Sequence, residues 1–164
     1  MIETIEFQHK WYPKFQTEGN ASQFAIPFAL HVCKGLGYDI GCMKPEWALP
    51  NATPIDLDFD DPWDADNLPE KVSPDYIFSS HCLEHVPDWV ATMDYWHKKL
   101  REGGTLFLYL PDFSQRYWRP WNNYKHKHVF TPDIIEQYMF DRGYKNVFVS
   151  GIDLNNSFMA MGEK

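Results

Sequence analysis

The chain is short of everything that would mark a membrane, secreted or nucleic-acid-binding protein. No stretch approaches eighteen consecutive apolar residues, and the opening Met1-Ile2-Glu3-Thr4-Ile5-Glu6 has neither a basic start nor an apolar core. Neither a membrane span nor a secretion signal is therefore expected. Cysteine is scarce: Cys33, Cys42 and Cys82 form no C-x-x-C pair and leave one residue over. That argues against a disulfide framework and against a cysteine zinc site, and it fits a reducing cytoplasm. Positive charge is also in short supply, with 15 Lys and Arg against 23 Asp and Glu and a formal net charge of −8. Polyanions are bound mainly through cations, so nucleic acid is an unlikely partner. Repeats and low-complexity tracts are missing as well.

What is present suffices for one domain over residues 1–164, with 44% apolar and 23% charged residues, and is too little for two. Aromatic residues reach 17%, which suggests stacking surfaces beyond the core. Residues 1–19 read as an irregular aromatic arm. Phe24, Phe28 and Val32 recur at helical spacing from Asn20 to Gly35, with Pro27 expected to kink the helix. Gly37-Tyr38-Asp39-Ile40 is a short strand running into the turn Gly41-Cys42. Pro45, Pro50 and Pro54 leave room for a turn or so of helix before a second strand, Ile55-Asp56-Leu57-Asp58. Residues 59–74 form an acidic loop. After a strand at Asp75 to Ser80, Asp88 can cap a helix carrying Val90, Met93, Trp96 and Leu100.

Thr105-Leu106-Phe107-Leu108-Tyr109-Leu110 is continuously apolar, the mark of a strand buried on both faces of a parallel sheet. Thr131-Pro132-Asp133 opens a helix as an N-cap followed by proline. Two last strands, Asn146 to Ser150 and Ser157 to Met161, close the chain. The pattern predicts an α/β doubly wound, mostly parallel sheet with an antiparallel C-terminal edge hairpin.

His81-Cys82-Leu83-Glu84-His85 supports two chemistries. Alone it is H-x-x-E-H, in which two histidines one helical turn apart bind zinc and the glutamate activates water. That chemistry needs a helix through all five residues. The apolar strand before the run and Pro87-Asp88 after it instead start the helix beyond the motif and leave His81 at a strand's C-terminal lip, where open α/β sheets bind ligands.

Five segments in order carry a family likeness: Asp39-Ile40-Gly41-Cys42; Ile55-Asp56; Asp75 through Val86; Leu100-Arg101-Glu102-Gly103-Gly104 through Pro111-Asp112; and His128-Val129-Phe130-Thr131. Over about residues 35 to 162 the chain resembles class I S-adenosylmethionine-dependent methyltransferases, most closely the short bacterial and phage forms whose first helix is trimmed. The resemblance implies a Rossmann-like fold, S-adenosylmethionine as cofactor and a small-molecule acceptor. Asp39 and the Gly41-Cys42 turn would approach the methionyl part, Asp56 would accept the ribose hydroxyls, and Asp64 with Ala65 would meet the adenine. Asp58 and Asp66 are alternatives to these acids, and Ser80 joins the cofactor set.

His81 is the best-placed base. His85 and Glu84 could orient it or cap the helix start, and Asp112 faces the site or caps the next turn. The basic and aromatic tract Arg116 to His128 is expected to fold over the site within a lid at 113–130. It would offer Arg116, Tyr117, Trp118, Arg119, Trp121 and His128 to a sugar, a nucleotide-sugar or a phosphorylated metabolite. His126 and His128 could join His81 and His85 around a metal, but the alternating lysines oppose a cation and no metal is expected.

Two departures stand out. Met43 occupies a turn position that usually holds glycine, where a side chain tolerates positive φ poorly and adds bulk. Only 17 positions separate Asp39 from Asp56, too few for a full crossover helix, and a third strand before Pro74 is expected to be missing. Besides the methyltransferase, two other classes follow from these features: a catalytically degenerate binding module that keeps the fold, and a zinc hydrolase using H-x-x-E-H.

Overall fold

The computed structural model describes residues 2–70 and 73–164. A small antiparallel sheet pairs β1 (Thr4–Phe7) with β2 (Lys10–Pro13). The main sheet has six strands: β3 (Gly37–Ile40), β4 (Ala52–Ile55), β5 (Tyr76–Ser80), β6 (Thr105–Pro111), β7 (Lys145–Val149) and β8 (Ser157–Glu163). Their order is β4-β3-β5-β6-β8-β7. Strands β4, β3, β5 and β6 run parallel, and β8 is antiparallel to both its neighbours, so the sheet is mostly parallel with the expected antiparallel C-terminal edge. From β3 the chain steps outward to β4 and then returns to the other side of β3 as β5. A switch point therefore lies between the C-terminal ends of β3 and β5, the place where open α/β sheets bind ligands.

Alternation along the central strands divides the core into two layers. Ile40, Ile77, Leu106, Leu108, Leu110 and Phe158 face α2 (Trp89–Lys99) and α3 (Pro132–Asp141), meeting Met93, Trp96, Ile135 and Met139. Tyr76, Phe78, Phe107 and Tyr109 face the opposite way, onto Ala21, Ala25 and Ala29 on and before α1 (Ile26–Val32). β6 is thus buried on both faces, as its unbroken apolar run requires. Asp88 caps α2 by accepting from the Val90 and Ala91 amides, 3.1 Å each.

Several local expectations change. The N-terminal arm is a hairpin followed by a 3-10 turn at Lys14–Glu18, not an irregular segment. The helix read from Asn20 to Gly35 is split into a 3-10 turn at Ala21–Phe24 and α1, because Pro27 lies in the first turn of α1 and starts that helix rather than kinking a longer one. β4 ends at Ile55, one residue before Asp56, whose carboxylate binds the backbone of the loop. Thr131 holds the N-cap position of α3 without a side-chain hydrogen bond. Between β3 and β4 there is one 3-10 turn, Pro45–Trp47, and no helix. From residue 59 to 70 the chain forms turns and one isolated bridge, Asp64 to Asn67. Among the described residues, no helix is long and apolar enough to cross a membrane.

Candidate functional site

Strand β3 leads straight into the turn at the switch point. Gly41 has φ of +81°, and a Cβ there would collide with Cys82 Cβ and lie 2.7 Å from its Sγ, so glycine is required both for the dihedral and for the close approach. The Gly41 amide donates to the Ile55 carbonyl at 2.8 Å, holding the turn against the end of β4. Cys42 is buried, and burial pushes its thiol up to about 12, leaving it neutral.

Met43 takes the left-handed conformation a glycine would favour, with φ of +62°, and its amide donates to Asp56 Oδ2 at 2.7 Å. Its half-exposed side chain runs over Gly19, where its Sδ occupies the space a Cβ would take. The Asp58 amide donates to the other Asp56 oxygen at 3.1 Å. Asp56 therefore keeps further lone pairs at the lip of β4, since a carboxylate offers about four acceptor sites.

Asp39 lies deeper. It is buried, Oδ2 accepts from the Leu49 amide at 2.8 Å, and burial pushes the carboxyl up to about 7. It ties β3 to the short connection that follows. Asp64 and Ala65 sit in a loop pinned to α2: Trp96 Nε1 donates to the Ala65 carbonyl at 2.7 Å, and the Tyr95 hydroxyl accepts from the Leu68 amide at 2.9 Å. Asp66, the alternative to Asp64, accepts from Thr92 Oγ1 at 2.5 Å, while Asp64 accepts from the Asp66 amide at 2.8 Å. Ser80 ends β5 with its hydroxyl buried and, among the described residues, without a hydrogen-bond partner.

The H-x-x-E-H run is not helical beyond one 3-10 turn at Leu83–His85, and α2 begins only at Trp89, as the flanking residues predict. His81 has φ of +49° and turns inward, its side chain 12% exposed. Its Nε2 lies 3.1 Å from Ser157 Oγ and its Nδ1 lies 3.6 Å from Glu84 Oε1. Burial pushes His81 down to about 3, so both ring nitrogens of a neutral imidazole face protein groups. Glu84 is fully buried, and burial pushes its carboxyl up to about 7. His85 Nε2 and His126 Nε2 each stand 3.9 Å from Glu84 Oε1. Burial also pushes His126 down to about 3. Asp112 is buried at the end of β6, accepts from the Ser114 amide at 2.8 Å, and so caps the turn that follows.

The tract after β6 leaves at Asp112 and returns at Phe130, the two bridging in parallel, with the Phe113 amide donating to the Phe130 carbonyl at 2.8 Å. Its aromatics divide between inside and outside. Tyr117 packs edge-on against Phe7 and Trp118, and Trp118 stacks on His126 with centroids 4.7 Å apart. His128 Nε2 lies 2.9 Å from the Val86 carbonyl. The Arg119 guanidinium covers the Phe113 ring at 4.1 Å and lies 5.7 Å from the Trp121 ring, while its Nε donates to the Phe113 carbonyl at 2.8 Å. Arg116 and Trp121 are exposed.

Sequence reasoning missed what fastens this tract. Gln115 Nε2 donates to Gln16 Oε1 at 2.6 Å and to the Asn155 carbonyl at 3.0 Å, while Gln16 Nε2 donates to the same carbonyl at 2.7 Å. The three amides come from segments far apart in the chain, and no local pattern announces such a meeting.

A family model described as "Methyltransferase domain" matches residues 18–149. Among solved structures, the chain is similar to a SAM-dependent methyltransferase, possible histamine N-methyltransferase, from Thermotoga maritima: 16% identity, TM-score 0.66, covering 92% of this chain and 97% of that one. It is also similar to a SAM-dependent methyltransferase from Archaeoglobus fulgidus, with 14% identity, TM-score 0.62 and coverage of 92% and 98%. The N-methyltransferase NodS from Bradyrhizobium japonicum is another, with 15% identity, TM-score 0.59 and coverage of 92% and 96%. No curated protein matches the chain.

Proposed function

We propose that this chain, which belongs to the methyltransferase domain family and is an S-adenosylmethionine-dependent methyltransferase, acts on a small polar acceptor: a sugar, a nucleotide-sugar or a phosphorylated metabolite. Bound S-adenosylmethionine supplies a methyl group on a sulfonium, which an acceptor oxygen or nitrogen takes by in-line displacement.

The residues at the switch point fit that cofactor. The Gly41 turn brings bare backbone to the crevice, Asp56 keeps lone pairs at the lip of β4 for a pair of hydroxyls, and the buried Ser80 hydroxyl has no partner among the described residues. Asp64, held on α2 through the Ala65 and Leu68 contacts, serves the adenine side. Asp39 acts at one remove by fixing the turn through Leu49. Because alignment supplies much of the acceleration in such a displacement, these contacts matter more than any single proton transfer.

The observation that carries the acceptor class is the reversal of charge beyond β6. In a chain of net charge −8, Arg116, Lys125 and Lys127 are exposed on the tract that leaves the strand-end lip, and Arg119 lies between two rings. Cations and ring faces together favour an anionic or sugar-phosphate ligand. In this reading His81, His85 and Asp112, which follow the C-terminal ends of β5 and β6, stand next to the acceptor; His85 is the more exposed of the two histidines.

The experiment is calorimetric titration with S-adenosylhomocysteine, followed by a thermal-shift screen of nucleotide-sugars and phosphorylated metabolites with that product present. Asp56→Ala should weaken product binding by about 1.5 to 3 kcal/mol, the worth of a charge-assisted hydrogen-bond pair. Absence of binding at millimolar product would favour the degenerate module. A screen in which no anionic or sugar ligand shifts the melting temperature would remove the acceptor class.

A further inference from the structure

Glu84 presents an unusual demand. Both of its carboxylate oxygens are buried and, among the described residues, neither has a hydrogen-bond partner, although three imidazole nitrogens lie 3.6 to 3.9 Å from Oε1. Buried carboxylates are ordinarily hydrogen-bonded, because a charged or polar group taken out of water without a partner is costly. At 3.6 to 3.9 Å none of the three rings is within hydrogen-bond reach of Oε1, and two of them turn a lone pair rather than a proton toward it. His85 Nδ1 lies 2.9 Å from the Lys125 carbonyl, which can only accept, so the ring proton is on Nδ1 and Nε2 turns a bare lone pair toward Glu84. The Ser157 hydroxyl lies 3.3 Å from the Asn155 carbonyl and 3.1 Å from His81 Nε2; in the arrangement where it donates to the carbonyl and accepts from Nε2, His81 Nδ1 is bare as well. Lone pairs converge on an oxygen that itself has no donor. A cation between them satisfies all of these groups at once.

The fold assembles this arrangement from distant parts. The Lys127 and His128 amides both donate to the Glu84 backbone carbonyl, at 2.7 and 3.2 Å, so the segment carrying His126 is fastened to the residue it faces. Trp118 stacks on the His126 ring with an interplanar angle of 7°, and the His85 ring meets it edge-on at 4.5 Å. His81 accepts a left-handed backbone conformation to place its ring here, and strain of that kind is found where surrounding structure enforces it. Lys125 and Lys127, which flank His126, are both exposed. The charge that the sequence pattern sets against a cation is thus directed to solvent.

We infer that Glu84, His85 and His126, with His81 at their side, form a binding site for one divalent first-row transition ion such as zinc. The ligand atoms of the first three lie within 4.8 Å of one another. Bonds of about 2.0 to 2.1 Å in a tetrahedral site put ligand atoms about 3.3 Å apart, so closure asks the two 3.9 Å histidine-to-Glu84 distances to shorten by about 0.6 Å and the widest separation in the trio, up to 4.8 Å, by up to about 1.5 Å. Imidazole ligands select against magnesium and calcium, which prefer oxygen. Three protein ligands also leave a position for a water or an acceptor oxygen, as catalytic sites do. On the proposed methyltransferase reading, an acceptor hydroxyl placed there would lose its proton more readily, an activation that His81, buried and turned toward Ser157 and Glu84, is poorly placed to give.

Metal-free protein prepared with a chelator and titrated with Zn²⁺ tests the site by calorimetry, and Co²⁺ tests it by its visible absorption. The expected result is one ion per chain, with affinity lowered by about 100-fold or more in Glu84→Gln and in His85→Ala, at the upper end of the loss produced even by outer partners of a metal ligand. His85 is the more exposed member, so its variant carries the test if Glu84→Gln does not fold. Wild type that binds no stoichiometric zinc, or variants that bind as wild type does, would overturn the inference. In that case the cluster is one in which a proton on Glu84 is shared with the rings. Titration of the same metal-free protein with S-adenosylhomocysteine keeps the two readings separate, because cofactor binding rests on Gly41, Asp56 and Ser80 and not on the ion.

Discussion

Replacing Asp39 by asparagine should make the protein more stable at alkaline pH and change little in acid. Asp39 is 2% exposed, and one hydrogen bond, from the Leu49 amide, offsets the burial of its charge. Burial raises the native carboxyl from 3.8 to about 7. Between those values the unfolded chain releases the proton while the native protein keeps it, so the native state binds more protons and its stability falls as pH rises through the window. A tenfold difference in proton affinity between the two states corresponds to about 1.4 kcal/mol, so the whole window is worth about 4 kcal/mol, and 2 to 4 kcal/mol is the expected range once local relaxation is allowed. Asparagine keeps an acceptor for Leu49 and carries no charge.

Urea unfolding followed by tryptophan fluorescence, run from pH 5 to pH 9 on both proteins, measures the difference. The advantage of Asp39→Asn should grow between pH 5 and pH 7 and level off above pH 8. Glu84 titrates in the same range but is common to both proteins and drops out of the comparison. A flat difference across pH 5 to 8 would show that Asp39 is ionised in the native state throughout. An asparagine variant weaker at every pH would show that the negative charge is needed where it lies.

Two further changes test the local readings. Met43→Gly removes a left-handed conformation costing roughly 1 to 2 kcal/mol while adding about 0.5 to 1 kcal/mol of backbone entropy in the unfolded chain. The net expectation is a gain of up to about 1 kcal/mol in urea unfolding, with S-adenosylhomocysteine affinity unchanged because the side chain lies over Gly19; a tighter complex would mean that the side chain intrudes on the cofactor after all. Asp88→Ala deletes both cap hydrogen bonds at the start of α2 and should cost about 1 kcal/mol, a drop of roughly 2 to 4 °C in melting temperature, read by circular dichroism.

The elements legible in the sequence are those that local rules settle alone. Thr105 to Leu110 has to be a doubly buried strand because it offers no polar face, and Asp88 marks the start of α2 because its side chain reaches two amides of the first turn. The N-terminal hairpin escaped because its turn is Gln8-His9. Both residues have positive φ, 49° and 62°, in a position where Asn-Gly or Asp-Gly is the usual signal, so no turn residue announces it. Pro27 was legible as a perturbation but not as a helix start, since a proline reads alike as a kink or as a first-turn residue until the preceding chain is seen to stop. In the site, Gly41 and Asp56 follow strands and could be read from their position in the motif order. The meeting of Glu84 with His126 depends on backbone hydrogen bonds between segments some forty positions apart, and only the folded chain brings them together.

The short connection between β3 and β4 explains why several otherwise separate features occur together. Eleven residues cannot form a crossover helix, so the face of Tyr76, Phe78, Phe107 and Tyr109 needs a cover from elsewhere. The segment before β3 supplies it, and its Ala21, Ala25 and Ala29 stripe lets backbone lie close over four aromatic rings. The connection itself contributes Leu49 to that layer, and the Leu49 amide is the group that Asp39 accepts from. A buried carboxyl thus does the fastening that a helix's own packing would otherwise do, and it does so at the strand end where the Gly41 turn begins. Met43 then reaches back over Gly19, in the same N-terminal cover. With no helix between β3 and β4, the support of the Gly41 turn comes from residues that precede β3, and changes in that N-terminal segment should be felt at the Gly41 turn before they are felt in α2 or α3.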